Sequence, residues 1–237
     1  LVNIADFRLY VVESNATVMT MRAIVGRPYR NTPIFTDVMT YLVFSPYWHV
    51  PPGIAARDVL PKVQQDPGYL AANGFQVFEG WDNAALVDPG SVAWASLPRS
   101  NLPYRFRQDP GPLNALGPVK FTFPNGLNVY LHDTPTRNLF NETSRAFSSG
   151  CVRVEKPADL ALHLLKDSPG WDARAIERAM NRRQEQMVRL STPMPVHLLY
   201  WTAWANEDGT LQFVDDVYSR DQRLRRALDQ PPPAQWQ

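Results

Sequence analysis

The chain has 237 residues, 44% of them hydrophobic and 20% charged, which suits one large folded domain or two modest ones and argues against disorder. Its 24 basic and 23 acidic residues leave a net charge of +1 with no cationic stripe, so nucleic acid is not an expected partner. The single cysteine excludes an internal disulfide and any zinc site of several thiolates, and no apolar run approaches the roughly 18 residues of a membrane span.

The chain opens inside a strand-like pattern, LVNIADFRLYVVE, without the basic start and apolar block of a signal peptide. This opening reads as the edge of a fragment, so an export signal or membrane anchor would lie only in missing sequence. Alternation of apolar and polar positions marks strands at Phe7-Leu9-Val11, at Val119-Phe121-Phe123, at Leu127-Val129-Leu131, and across PVHLLYWTAW followed by TLQFVDD. Between them, residues 46–118 are rich in Pro, Gly, Asp and Trp, with short helical pieces such as DPGYLAANG, and read as an insertion. Such an excursion between two strands builds either a lid over a cleft or a purely structural subdomain. Helices are expected over Pro157–Lys166, opened by a proline, over Asp172–Arg183, and over Asp221–Asp229. The tail PPPAQWQ reads as a spacer. The expected fold is mainly β within an α+β plan, a mixed sandwich or barrel-like sheet with flanking helices and a loop-rich insertion. In domain terms, residues 1–181 form a catalytic domain carrying the 46–118 insertion, and residues 182–237 complete or extend it.

The chemistry concentrates between Tyr130 and Arg153, in YLHDTPTRNLFNETSRAFSSGCVRV. Alternation in LNVYLHD puts Leu127, Val129 and Leu131 on one face and Asn128, Tyr130 and His132 on the other, so His132 shares the cleft face with a tyrosine. In GCVRV the same rule buries Val152 and Val154 and sends Cys151 and Arg153 to the opposite side. A free thiol, pKa ~8.5, is mostly protonated at neutral pH, so a nucleophilic cysteine needs an imidazole to take its proton. His132 is the candidate base. Asp133 supplies either a carboxylate or a carbonyl to hold the imidazole in one tautomer. The small turn Ser148-Ser149-Gly150 lets backbone amides point at a developing oxyanion, with Ser149 and Gly150 as the oxyanion-hole candidates. Arg153 is placed to clamp a substrate carboxylate, against the alternative that it merely pins a loop. Tyr130 and Trp48 are candidate walls of the cleft, against the alternative of plain core.

The stretch HDTPTRNLFNETSRAFSSGCVRV resembles the signature of the L,D-transpeptidase (YkuD-type) catalytic domain, a histidine followed at fixed distance by Ser-x-Gly-Cys-x-Arg/Asn. The likeness extends to GRPYRNTPIF, LVFSPYWHVPPGIAARDVLPK, QDPGYLAANGF, YRFRQDPGPLNALGPVKFTFPN and LYWTAW, which resemble the large, lid-bearing YcbB-like branch. The resemblance implies a periplasmic enzyme of the bacterial envelope. Its donor would be a tetrapeptide stem of peptidoglycan, bound as a thioester with loss of D-alanine, and its acceptor a diaminopimelate-containing stem, giving 3→3 cross-links. It implies Cys151 as nucleophile, His132 as general base and the carbonyl of Asp133 as the group that orients the imidazole. It also implies carbapenem β-lactams as covalent inhibitors, and no cofactor. The sequence departs from many members in carrying Asp133 where Gly is common and Ser149 where histidine is common.

Two alternatives stay open: a sortase-like cysteine transpeptidase, although no Thr precedes the cysteine, and a non-catalytic peptidoglycan-binding scaffold. Papain-like enzymes place the nucleophile before the histidine, the reverse of the order here. His49, His163 and His197 read as structural, and neither Asp215-Asp216 nor Glu79 with Asp82 has a histidine at ligand spacing, so no metal site is expected.

Overall fold

A computed structural model describes residues 1–80, 85–206 and 208–231; Asp82 and the spacer-like tail 232–237 lie outside the described residues. The strands in chain order are β1 (Val2–Asn3), β2 (Arg8–Glu13), β3 (Ala16–Gly26), β4 (Phe35–Phe44), β5 (Trp48–His49), β6 (Phe75–Glu79), β7 (Ala85–Val87), β8 (Tyr104–Gln108), β9 (Val119–Thr122), β10 (Leu131–His132), β11 (Ala146–Ser148), β12 (Val152–Val154), β13 (Gln186–Leu199), β14 (Ala203–Ala205) and β15 (Leu211–Phe213). The helices are α1 (Pro52–Ile54), α2 (Leu60–Gln65), α3 (Tyr69–Ala72), α4 (Pro157–Leu164), α5 (Ala173–Asn181) and α6 (Asp221–Leu228).

The principal sheet runs β11-β3-β12-β10-β9-β4-β13-β1-β2, and β2 pairs back onto β3, so the sheet closes into a barrel and β11 hangs from β3 outside the ring. Closure removes the free edges that an open sheet of this length would expose. Its core holds Leu9, Met21, Val25, Leu42, Phe44, Phe121, Leu131, Val152, Val154 and Leu198, all buried. Burying a side chain of this kind is worth about 1.5–3 kcal/mol. Trp171 stacks on Phe44 at 5.1 Å beside α5, which Asp172 caps by accepting from the Ala175 amide at 2.7 Å. The fold is thus mainly β with flanking helices, as the alternation predicts.

Two strands differ from their sequence pattern. The expected strand over Leu127-Val129-Leu131 is cut to Leu131–His132, and Leu127 is exposed. Asn125 is the reason: its side chain accepts from the Leu127 and Val129 amides at 3.0 and 3.2 Å, and Asn128 takes φ +54°, so this segment is a turn. In the other direction, β13 begins nine residues before the pattern at Pro195, because Gln186 to Arg189 also pair with Phe44 to Tyr41 of β4, across an irregularity between Arg189 and Met194. Pro193 falls in that irregularity, where its missing N–H is tolerated.

Residues between β4 and β9 build a second sheet, β5-β8-β6-β7, over a core of its own that includes Leu60, Val63, Leu70, Val77, Trp94 and Phe106. Its strand content exceeds what the sequence suggests, because β6 and β8 alternate for only five residues each among turns and prolines. A π-turn, Ala55–Val59, joins α1 to α2.

Gly117 marks where the insertion rejoins the barrel. It sits at φ +61°, and a Cβ there would lie 2.7 Å from the Asp133 Cβ and 2.8 Å from the Thr134 nitrogen. Gly117→Ala should therefore cost about 1–3 kcal/mol and lower the thermal melting point by several degrees, whereas Gly126→Ala, which meets nothing within 4 Å, should leave it nearly unchanged. Equal melting points for the two variants would show that this close approach is not constraining.

Candidate active site

Parallel pairing of β10 with β12 aligns Leu131 with Val152 and His132 with Arg153, and the Val152 amide donates to the Tyr130 carbonyl at 3.1 Å. Cys151 immediately precedes β12. With Leu131, Val152 and Val154 committed to the core, Tyr130, His132, Cys151 and Arg153 line one cavity of about 760 Å³. Trp48 and Ser149 line the same cavity, as do Ile54, Arg57 and Asp58 from the insertion. The structure therefore gathers the sequence-predicted cysteine, histidine, arginine, tyrosine and tryptophan around one cleft.

His132 is buried, and its Nδ1 lies 2.5 Å from the Asp133 carbonyl oxygen, which sets Nδ1 as the protonated nitrogen. Of the two groups Asp133 could offer, the carbonyl meets the imidazole. Its carboxylate instead takes Arg137 Nη1 at 2.6 Å and the Thr134 amide at 2.7 Å. Burial, then the charge of Arg153 and to a lesser degree that of Lys120, hold the imidazole pKa down to about 3, against the raising pull of the Asp133 and Leu116 carbonyls.

The Cys151 thiol points at the Asn128 carbonyl, 3.7 Å away, and also bonds to the Tyr130 amide and hydroxyl. Trp48 bonds in turn to the Tyr130 hydroxyl. Burial pushes the thiol pKa up, while the Tyr130 bonds and the charges of Lys120 and Arg153 pull it down. These directions favour the uncharged thiol and the uncharged imidazole, both of which line the one cavity. The two cations favour a thiolate, and the two carbonyls favour an imidazolium, so each product of a proton transfer has its own stabiliser.

The turn before Cys151 departs from expectation at one residue. The Gly150 amide is engaged with Ser148 Oγ at 3.1 Å, so it is not free to meet an oxyanion; the amides of Ser149 and Cys151 have no protein acceptor among the described residues. Arg153 is mostly buried. It donates to Thr136 Oγ1 at 3.3 Å, its Nε has no partner, and no acid lies within ion-pair distance among the described residues.

Several residues that hold this site escaped the sequence reading. Thr32, fully buried, donates to the Gly150 carbonyl at 2.8 Å and accepts from the Gly26 amide at 2.9 Å. Arg30 bonds to Ser149 Oγ at 2.9 Å and pairs with Asp58 of the insertion at 2.5 Å. Lys120 lies opposite His132 in the β9–β10 ladder, with its ammonium 4.1 Å from the centre of the Tyr130 ring. Only Lys120 had a sequence signal, as the polar position between buried Val119 and Phe121 on a strand bordering the site. His163 and His197 lie away from the cleft, 3.4 Å from Glu13 and bonded to Thr36 respectively. No cluster of three or more metal-ligating side chains occurs among the described residues.

Residues 1–171 match the family YkuD, L,D-transpeptidase catalytic domain. A Haemophilus influenzae protein named "Putative L,D-transpeptidase" is 36% identical over 226 residues, covering 95% of this chain and 45% of the relative. The chain thus spans about half the length of that relative.

The histidine makes a pH prediction with a definite sign. An unfolded imidazole takes a proton near pH 6.5 and the folded one only near pH 3, so the unfolded state binds more protons between those values and stability falls as pH drops through that window. Urea denaturation from pH 7 to pH 4 should show this decline, and His132→Asn should flatten it; an identical slope in the variant would mean that His132 is not buried as a neutral group.

Proposed function

Because the chain belongs to the YkuD family of L,D-transpeptidase catalytic domains, we propose that it is a cysteine transpeptidase that forms 3→3 cross-links between peptidoglycan stems. The observation that carries this reading is a buried imidazole, fixed by a backbone carbonyl, on the strand directly beside the one that Cys151 leads into, with both side chains in one cavity.

In this reading His132 takes the thiol proton, and the Cys151 thiolate attacks the carbonyl of the third residue of a tetrapeptide stem. The C–N bond to D-alanine breaks, and the imidazolium returns the proton to the departing amine. A thioester remains. The side-chain amine of a diaminopimelate-containing stem then attacks it, the C–S bond breaks, and the amine's proton passes through His132 to the sulfur. The free amides of Ser149 and Cys151 are the oxyanion donors in this scheme, replacing the Gly150 amide. Arg153, a mostly buried guanidinium without an acidic partner, would receive a substrate carboxylate. The insertion would act as a lid, tied to the nucleophile turn by the Asp58-Arg30-Ser149 chain of contacts.

Peptidoglycan as substrate places the chain in the bacterial envelope, on the periplasmic side, and makes a carbapenem a covalent probe. No described helix is long and apolar enough to cross a membrane.

Intact-mass analysis after carbapenem exposure should show one adduct on the wild-type chain and none on Cys151→Ala. His132→Ala should slow tetrapeptide turnover by about 10²–10⁴-fold while retaining its circular dichroism spectrum. An unmodified wild-type protein, or an adduct that persists without Cys151, would turn the reading toward a non-catalytic binding module.

A further inference from the structure

The insertion and the barrel enclose a second cavity of about 430 Å³. It shares the walls Trp48, Pro51, Leu116, Asn128 and Tyr130 with the cleft described above, so the two spaces meet beside the thiol. No carboxylate lines it among the described residues. Its charged lining is Lys120, Arg105 and Arg107, with His49 at the rim.

Lys120 is only partly exposed, packs its ammonium on the Tyr130 ring, and has no hydrogen bond or ion pair among the described residues. Glu185 is the acid that acts on Lys120 and His49 from a distance, and its carboxylate accepts from the Tyr47 amide at 2.9 Å. The Arg107 guanidinium packs near two rings, 4.3 Å from the centre of Tyr47 and 5.0 Å from that of Phe78. It bonds to Gln76, stands 4.0 Å from Asp109, and keeps its Nε buried without a partner. Arg105 donates to the Gly80 carbonyl at 2.8 Å.

A half-buried ammonium without a counter-ion and an orphaned guanidinium N–H both carry a desolvation cost that an entering anion would relieve. A guanidinium packed against two aromatic rings is also restricted in advance for a planar carboxylate. We propose that this cavity is a carboxylate subsite in which Lys120 and Arg107 receive an anionic group of the peptide substrate. The identification of the ligand as a peptide carboxylate rests on the transpeptidase reading; the preference for an anion rests on the cavity alone. The carboxylate belongs either to the donor stem or to the acceptor, whose attacking amine on diaminopimelate sits α to one.

The test separates these. Cys151→Ala protein, which forms no thioester, is titrated calorimetrically with meso-diaminopimelate and with its bis-amide. The acid should bind at least about tenfold more tightly, a difference of about 1.4 kcal/mol. Lys120→Met or Arg107→Gln should each erase that preference, and Arg107→Lys should restore part of it. Equal affinity for acid and amide, or a preference lost only with Arg153→Gln, would overturn the subsite. Selective binding in a protein whose intact Cys151 is never acylated would instead overturn the transpeptidase reading and leave the subsite standing. For the source of the carboxylate, Arg107→Gln is followed with a tetrapeptide donor. A raised KM for acylation assigns the subsite to the donor, and a lowered ratio of diaminopimelate capture to hydrolysis assigns it to the acceptor. No change in either would rule out a substrate role.

Discussion

One backbone hydrogen bond, from the Val152 amide to the Tyr130 carbonyl at 3.1 Å, sets the register on which the site depends. In a parallel ladder side chains alternate in step on both strands, so fixing Leu131 against Val152 in the core also fixes which residues flank them at the cleft. A slip of one residue would send His132 into the barrel and leave the cleft with leucine. The hydrophobic core thus enforces the polar geometry, since Leu131, Val152 and Val154 cannot be turned outward without losing their burial.

Electrostatics complete what register begins. Burial alone would leave a thiol that holds its proton and an imidazole that refuses one. Lys120 and Arg153 weight the thiolate, and the carbonyls of Asp133 and Leu116 weight the imidazolium, so neither charged form is abandoned in a low-dielectric cleft. Backbone carbonyls suit this purpose because they orient the ring without adding a second negative charge beside the sulfur. The Asp133 carboxylate is kept away by Arg137, which explains how an acidic residue stands next to the histidine without pairing with it.

The segment between β4 and β9 has a buried core of its own, yet it also brings Trp48 to the Tyr130 hydroxyl and Asp58 to Arg30. Its buried core and its contact with the turn before Cys151 are separate features. From the opposite side, Tyr218 donates to the Gly26 carbonyl at 2.6 Å and accepts from the Thr32 amide at 3.1 Å, so the C-terminal part of the chain buttresses the loop that supports Gly150.

The sequence by itself determined the face-by-face alternation around Val152 and Val154, the proline and aspartate that open α4 and α5, and the order of a histidine followed, across a loop, by a cysteine. These are local properties, set by side-chain period and capping chemistry within a few residues. Tertiary structure alone decided the closure of the barrel and the arrival of Thr32, Arg30 and Tyr218 around the turn before Cys151, while local side-chain bonds that the alternation does not register made the turn at Asn125 and tied the Gly150 amide to Ser148. Each of these rests on a hydrogen bond or a packing contact whose partner the local pattern does not specify, and most join residues far apart along the chain. A period of two residues says which way a side chain points but not what it will meet.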